Sequence, residues 1–466
     1  MEAFQAVLQS IYNVLWGVPM LVLLVGTHLV LTFRTRFIQS STFKAIKLSV
    51  TPDTEASGDV SSFAALATAL AATIGTGNIV GVATAIAAGG PGAVFWCWLT
   101  GLFGMATKYG EGLLAVKYRV KTADGMMLGG PMYALENGLK QKWLGVAFAI
   151  FAGIACFGIG NMTQGNSIST MVQSNFGVSP YITGIVLTVG TGCVILGGVK
   201  SIAKVCEKLV PLMAGLYILG CVIICIMNAP YMGKAVALIL SSAFTKQAIA
   251  GGVMGGGFMI ALRAGVSRGL FTNESGLGSA PIADAAAQTR NPVRQALVSM
   301  SGVFWDTIVV CLMTGLVLVS TIIKEPEAAI DPATGLLFTG GDLTTHAFSA
   351  IKGIGPIVLT VGLITFAWST ILGWSYYGEK CWEYLLGKKA LMPFRVLWTL
   401  VVFVGCVTAL DLVWLIADIL NGLMAWPNCI ALLGLSGIIV SETKKYLWEN
   451  NLDAFSDDEI RVVDNK

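Results

Sequence analysis

The sequence predicts an all-α polytopic membrane protein of about 11 transmembrane helices. Three observations carry that expectation. Hydrophobic residues make up 55% of the 466-residue chain and charged residues only 12%, with a mean hydropathy of +0.76; a soluble domain carries about 25% charged residues. Apolar runs of about 20 residues, enough for a helix to cross a bilayer core, recur at 11–33, 62–89, 92–116, 143–171, 180–199, 203–228, 247–270, 296–323, 354–379, 393–409 and 411–440. With the N-terminus outside, these spans place 24 of the 29 Lys and Arg residues on the cytoplasmic side, Arg263 and Arg268 among them. That is the asymmetry the positive-inside rule requires.

In order along the chain, the first run lacks a basic n-region and a small-residue cleavage site, so it is expected to be a retained span. Pro91, Pro180, Pro230, Pro292, Pro356 and Pro393 fall near span boundaries, where a missing backbone N–H costs little. Trp426-Pro427 predicts a kink in the last span. Residues 268–281, RGLFTNESGLGSAP, form a polar, glycine-rich inner loop, with Ser279 and Pro281 suited to start a short helix carrying Asp284. The outer loop 324–353 contains the turn signals DPATG and TGGD. The charged tail, 444–466, is expected to hang in the cytoplasm. Ten scattered cysteines read as small buried hydrophobes. His28 and His346 fit no HExxH pattern, and a net charge of +3 gives no reason to expect nucleic acid.

One stretch resists this scheme. Ala71–Gly92, AATIGTGNIVGVATAIAAGGPG, sets Gly75, Thr76, Gly77 and Asn78 inside an apolar run. Glycine weakens a helix by about 1 kcal/mol, and Thr and Asn compete for backbone hydrogen bonds. In lipid such a break is tolerated only where the freed backbone faces protein, water or ligand. Counting the spans after the first as ten core helices, GTGN lies on core helix one. A glycine-rich segment, AGGVMGGGF (250–258), lies on core helix six, which runs the opposite way. Interrupted helices at corresponding places in two halves point to a transporter built from inverted repeats. The halves would be 62–228 and 229–443, after an extra helix within 1–61. Close helix packing is the competing explanation for the glycines, and it fits the 250–258 run better than it fits GTGN.

A broken helix offers carbonyls of negative polarity at one half-helix end and N–H groups of positive polarity at the other. Together they match a zwitterionic amino acid. Asn161, Thr163, Gln164 and Asn166 on one span, and Thr365, Ser369, Thr370, Trp374 and Tyr376 on another, supply polar groups that could complete the cavity. The adjacent hydroxyls of Ser369 and Thr370 suit a hard monovalent cation, although any single Ser or Thr more often bonds its own helix. Charges inside a membrane are functional candidates by default. Lys108 and Glu111 are spaced to pair, Asp306 has no base near it in its span, and Asp411 and Asp418 share a face.

GTGNIVGVATAIAAGGPGAVFWCWLTGLFGMATKYGE, RGLFTNESGLGSAPIA and TFAWSTILGWSYYGEKCWEYLLG resemble signature blocks of the alanine/glycine:cation symporter family, the sodium:alanine symporters. The departures are Cys97, Gly101 and Trp368. The resemblance implies a LeuT-type fold with a five-plus-five inverted repeat, core helices one and six being discontinuous. It implies symport of alanine, glycine and in some members D-alanine, with Na⁺ (in some members H⁺) as coupling ion, and no enzymatic activity. Carried over by motif, substrate would touch Thr76, Gly77, Asn78, Gln164, Gly255, Gly257, Phe258, Thr370 and Trp374. Na⁺ would use carbonyls at Ala71 and Ile74 and the Ser369 and Thr370 hydroxyls. Proton-coupled uptake of another small solute is the second reading. A channel would require a filter or charged ring, which the sequence does not display.

Overall fold

Backbone polar groups in a bilayer must be satisfied within their own segment, and the apolar runs fold as helices. The computed structural model describes the chain except residues 1, 54, 245–257, 333, 339, 409–410 and 464–466. Helix α1 (Val18–Arg34) is followed by α2 (Ser62–Thr73), α3 (Val82–Gly89) and α4 (Gly92–Lys117). Next come α5 (Lys142–Cys156), α6 (Thr163–Phe176), α7 (Pro180–Ile195), α8 (Gly198–Met227) and α9 (Ala229–Ser242). The second half holds α10 (Phe258–Asn273), α11 (Pro292–Val303), α12 (Leu312–Lys324), α13 (Gly355–Leu386), α14 (Leu391–Val407) and α15 (Asp411–Gly434).

Among the described residues, 7 helices are long and apolar enough to cross a membrane, or 8 when the bent pair Ser62–Thr73 and Gly77–Gly89 counts as one span. This is a multi-pass membrane protein. Two of the seven join elements through π-helical turns, α5 to α6 at Phe157–Met162 and α11 to α12 at Phe304–Cys311. The chain around Asp306 is therefore locally widened within an otherwise continuous helix. Helix α4 packs on α10 and α11, while α13 packs on α2, α5 and α8.

Two expectations are corrected. Arg263 and Arg268 lie inside helix α10, not in an inner loop. The tail does not hang free. Its strand β3 (Val462–Val463) pairs in parallel with β1 (Val120–Thr122), which pairs antiparallel with β2 (Met127–Leu128). The reason is charge and hydrogen-bond complementarity with the helix ends beside it. Asp458 meets Lys117 at 2.7 Å, Asp453 meets Arg294 at 2.9 Å, and Asn291 Nδ2 donates to the carbonyls of Leu452 and Ala454, both at 2.9 Å. Beneath the tail, the Arg119 guanidinium donates to the carbonyls of Ser57, Ala285 and Ala287. Burial lowers its pKa to about 10.

Candidate functional site

Helix α2 ends at Thr73, and Ile74 takes up an extended backbone (φ −74°, ψ 93°) while its N–H still donates to the Leu70 carbonyl. The chain resumes through a π-helical turn, Gly77–Gly81, and the two half-helices are bent by 50°. Asn78 stabilises the break by accepting the Gly75 N–H on its Oδ1 at 3.0 Å. Its Nδ2 donates to Asp306 Oδ1 at 2.8 Å. The Asn side chain thus replaces a missing helical bond and reaches a second element at once.

Gly75 is the point of closest approach. A Cβ there would lie 2.6 Å from Thr370 Oγ1 and 3.8 Å from Gln164 Oε1. Gln164 Nε2 donates to the Ile159 carbonyl at 2.9 Å, and its buried Oε1 has no donor from the described residues. The Ser369 hydroxyl lies 3.1 Å from the Ala71 carbonyl, and Thr370 bonds back to the Phe366 carbonyl at 3.0 Å. Ala71, Ile74, Ser369 and Thr370 are all buried at this junction of α2 and α13. Neutral hydroxyl and carbonyl oxygens are the donor set a small hard cation prefers.

On the other side of the break, a Cβ at Gly77 would meet Thr272 Cγ2 at 2.6 Å and the Phe271 ring at 3.2 Å. These residues end helix α10. Beyond Asn273 the chain turns through Glu274, Gly276 and Gly278, all at positive φ, before the short helix Pro281–Asp284. Buried carboxylates hold that turn. Glu111 Oε1 accepts the Gly276 and Gly278 N–H groups at 2.9 and 3.1 Å, and Lys108 pairs with Glu111 at 3.8 Å. Glu274 accepts Trp374 Nε1–H at 3.0 Å. A cavity of about 290 Å³ opens onto Thr76 and Gly77, with Arg268, Phe271, Trp414 and Asp418 in its walls.

Of the residues expected from sequence, the structure gathers Ala71, Ile74, Thr76, Gly77, Asn78, Gln164, Ser369 and Thr370 around the break, with Trp374 one step behind. Gly255 and Gly257 lie outside the described residues. Phe258 is not brought there: it is exposed, its ring 5.5 Å from that of Trp96, and it sits 13 residues before Phe271 on one helix. At 1.5 Å per residue that is roughly 20 Å. Several polar residues that could have joined the cavity bond elsewhere. Asn161 donates to the Trp398 carbonyl, Asn166 to the Thr408 carbonyl, and Thr365 to the Val361 carbonyl in its own helix. Phe271 and Thr272 were missed, although they stand in the RGLFTNESGLGSAP block itself. The outer loop was missed as a structural partner: its helix Gly340–Phe348 sets the Thr344 hydroxyl 3.2 Å from the Ile79 carbonyl, over the break.

A multi-pass helical protein with a bent, polar-lined helix of this kind has the form of a secondary transporter. The chain belongs to the sodium:alanine symporter family, which it matches over residues 1–459. It is 53% identical over 450 residues to the sodium/alanine symporter AgcS of Methanococcus maripaludis, covering 95% of this chain and 97% of that one. It is 50% identical over 461 residues to an uncharacterized transporter of Haemophilus influenzae, covering 98% and 99%. A manganese transporter of Eremococcus coleocola shares the fold, with a TM-score of 0.52 at 13% identity over 81% of this chain and 78% of that one. The relatives are transporters, not enzymes.

Proposed function

We propose that this protein is a secondary active symporter that couples Na⁺ entry to uptake of alanine, and by the same site glycine and D-alanine. The chain would run from an outer N-terminus to a cytoplasmic tail through eleven spans. Residues 62–228 and 229–443 would be LeuT-type inverted repeats, with GTGN and NESGLGS (273–279) as their two breaks. The observation that carries the reading is the convergence of Gln164 Oε1, to which none of the described residues donates, and the Thr370 hydroxyl on the bare α-carbon of Gly75. An acceptor buried without a donor favours a ligand that brings one, such as an ammonium group. Thr76 and Gly77 present backbone N–H groups where a half-helix begins, the polarity a carboxylate needs. Phe271 and Thr272 close on Gly77 from α10 and would limit the substrate to a small side chain.

Na⁺ would bind between the Ala71 and Ile74 carbonyls and the Ser369 and Thr370 hydroxyls. It is cargo as well as coupling partner. Moving one charge down 100 mV releases about 2.3 kcal/mol, enough for about fifty-fold accumulation. Uptake of labelled alanine into proteoliposomes, competed by glycine, D-alanine or valine, tests the assignment. Competition by the first two and not by valine is expected. Equal competition by valine, or no alanine uptake, overturns it.

A further inference from the structure

The two breaks do not touch only through Gly77; a third element ties them, and it converges on a single carboxylate. From the GTGN side, the Gly75 N–H donates to Asn78 Oδ1 at 3.0 Å, and Asn78 Nδ2 donates to Asp306 Oδ1 at 2.8 Å. From the other side, the Ser275 N–H donates to Asn273 Oδ1 at 2.9 Å, and Asn273 Nδ2 donates to Thr307 Oγ1 at 3.2 Å. The Thr307 hydroxyl then donates to Asp306 Oδ2 at 2.6 Å. Asn78, Asn273, Asp306 and Thr307 are all buried.

Every bond in both arms points its proton toward Asp306. A carboxylate can terminate two such arms because both of its oxygens accept. An amide in its place must turn one donor toward one arm and force that arm to reverse. Asp306 and Thr307 are adjacent, and the π-helical turn Phe304–Cys311 presents both inward. Thr307 is seated firmly, because a Cβ on Gly101 of α4 would lie 2.5 Å from its methyl group.

We propose that Asp306, acting with Thr307, is a positioning residue that couples the two helix breaks, so that a ligand ordering one orders the other. The inference rests on the reading of both breaks as parts of one transport site. Coupling between two ligands is reciprocal and typically changes affinity about 5- to 150-fold. If Na⁺ settles at the α2–α13 end of the first break, the bridge carries that order to the turn after Asn273, beside the substrate.

Two measurements on the full-length purified protein test this. The first is the ratio of alanine Kd without Na⁺ to that at saturating Na⁺. Wild type and Thr307→Ser, which keeps the hydroxyl, are expected to show a ratio well above one. In Asp306→Asn and Thr307→Val it should fall to within about twofold of one, a change that mere loss of stability would not produce. A wild-type ratio in both variants overturns the bridge. The second measurement needs no ligand. Asn78→Ala and Asn273→Ala should be non-additive in the midpoint of thermal unfolding, and additive in a Thr307→Val background. Additivity in the wild-type background overturns the bridge even if the protein binds no alanine. Absent Na⁺-dependent alanine binding by wild type, with the non-additivity present, refutes the functional reading and leaves the bridge standing.

Discussion

Gly75→Ala places a methyl group at the centre of the site, and its cost can be worked from the geometry. The new Cβ would lie 2.6 Å from Thr370 Oγ1 and 3.6 Å from Thr370 Cβ, the first distance well inside van der Waals contact. Thr370 is β-branched and stiff at χ1, and its hydroxyl is held by the Phe366 carbonyl at 3.0 Å. Turning it away loses that bond, worth about 1 kcal/mol, and pushes the side chain off its rotamer for about 0.5–1.5 kcal/mol. Together these come to about 2 kcal/mol, inside the range of about 1–3 kcal/mol usual for overpacking. If Thr370 relaxes in the ligand-free variant into the space alanine would fill, binding must undo that relaxation, and at 1.4 kcal/mol per tenfold alanine should bind about thirtyfold more weakly. Equilibrium binding of labelled alanine to purified protein in saturating Na⁺ reads this directly. Gly26→Ala is the control, because a Cβ there meets nothing within 4 Å. An affinity within twofold of wild type for Gly75→Ala would mean that the substrate does not lie against this α-carbon.

Ser369→Ala removes the hydroxyl beside the Ala71 carbonyl; the Na⁺ concentration for half-maximal uptake should rise about tenfold, the loss of one oxygen ligand being taken as one hydrogen-bond equivalent of about 1.4 kcal/mol. An unchanged Na⁺ dependence would move the ion elsewhere. Trp374→Phe strips the Nε1–H donor from the buried Glu274, and a buried acceptor left without its donor costs about 1–3 kcal/mol. The variant should melt earlier than wild type, and an identical melting temperature would show that this bond holds nothing. Deleting residues 452–466 removes the strand on β1, one carboxylate partner each of Lys117 and Arg294, which keep Glu442 and Asp53, and the carbonyls that accept from Asn291 Nδ2. Single exposed ion pairs contribute about 1 kcal/mol or less, so the protein should stay folded while trypsin cuts faster at Lys121. Equal cutting rates would show that the tail does not shield β1.

The first break was legible because it violates a strong local rule: GTGN puts helix-weakening and hydrogen-bonding residues where lipid demands a continuous helix. The spacing of Lys108 and Glu111 likewise foretold their contact, since residues three apart on a helix are neighbours. What escaped reading is what sequence distance hides. Asn78 and Asp306 are 228 positions apart, and no periodicity in either segment names the other. The five glycines of 250–258, which the pattern marks as a second break, lie outside the described residues up to Gly257; among the described residues a turn carrying three residues at positive φ follows at 274–278. Its polar composition looks like an ordinary loop between spans. Only burial of Glu274 and Glu111 against it shows that it is packed inside the protein. The tail misled for a related reason. A run rich in Asp and Lys suggests a solvated segment, but here Asp453 and Asp458 meet Arg294 and Lys117 at the ends of neighbouring helices.

The central claim, that an inward Na⁺ gradient drives alanine through the GTGN site, is tested most directly by counterflow and uptake of labelled alanine in proteoliposomes. Na⁺ and pH gradients are imposed separately, and wild type is compared with Asn78→Ala. Accumulation that follows the Na⁺ gradient in wild type and vanishes in a folded Asn78→Ala is the predicted result. Accumulation that follows the pH gradient alone, or that survives in Asn78→Ala, would contradict the account.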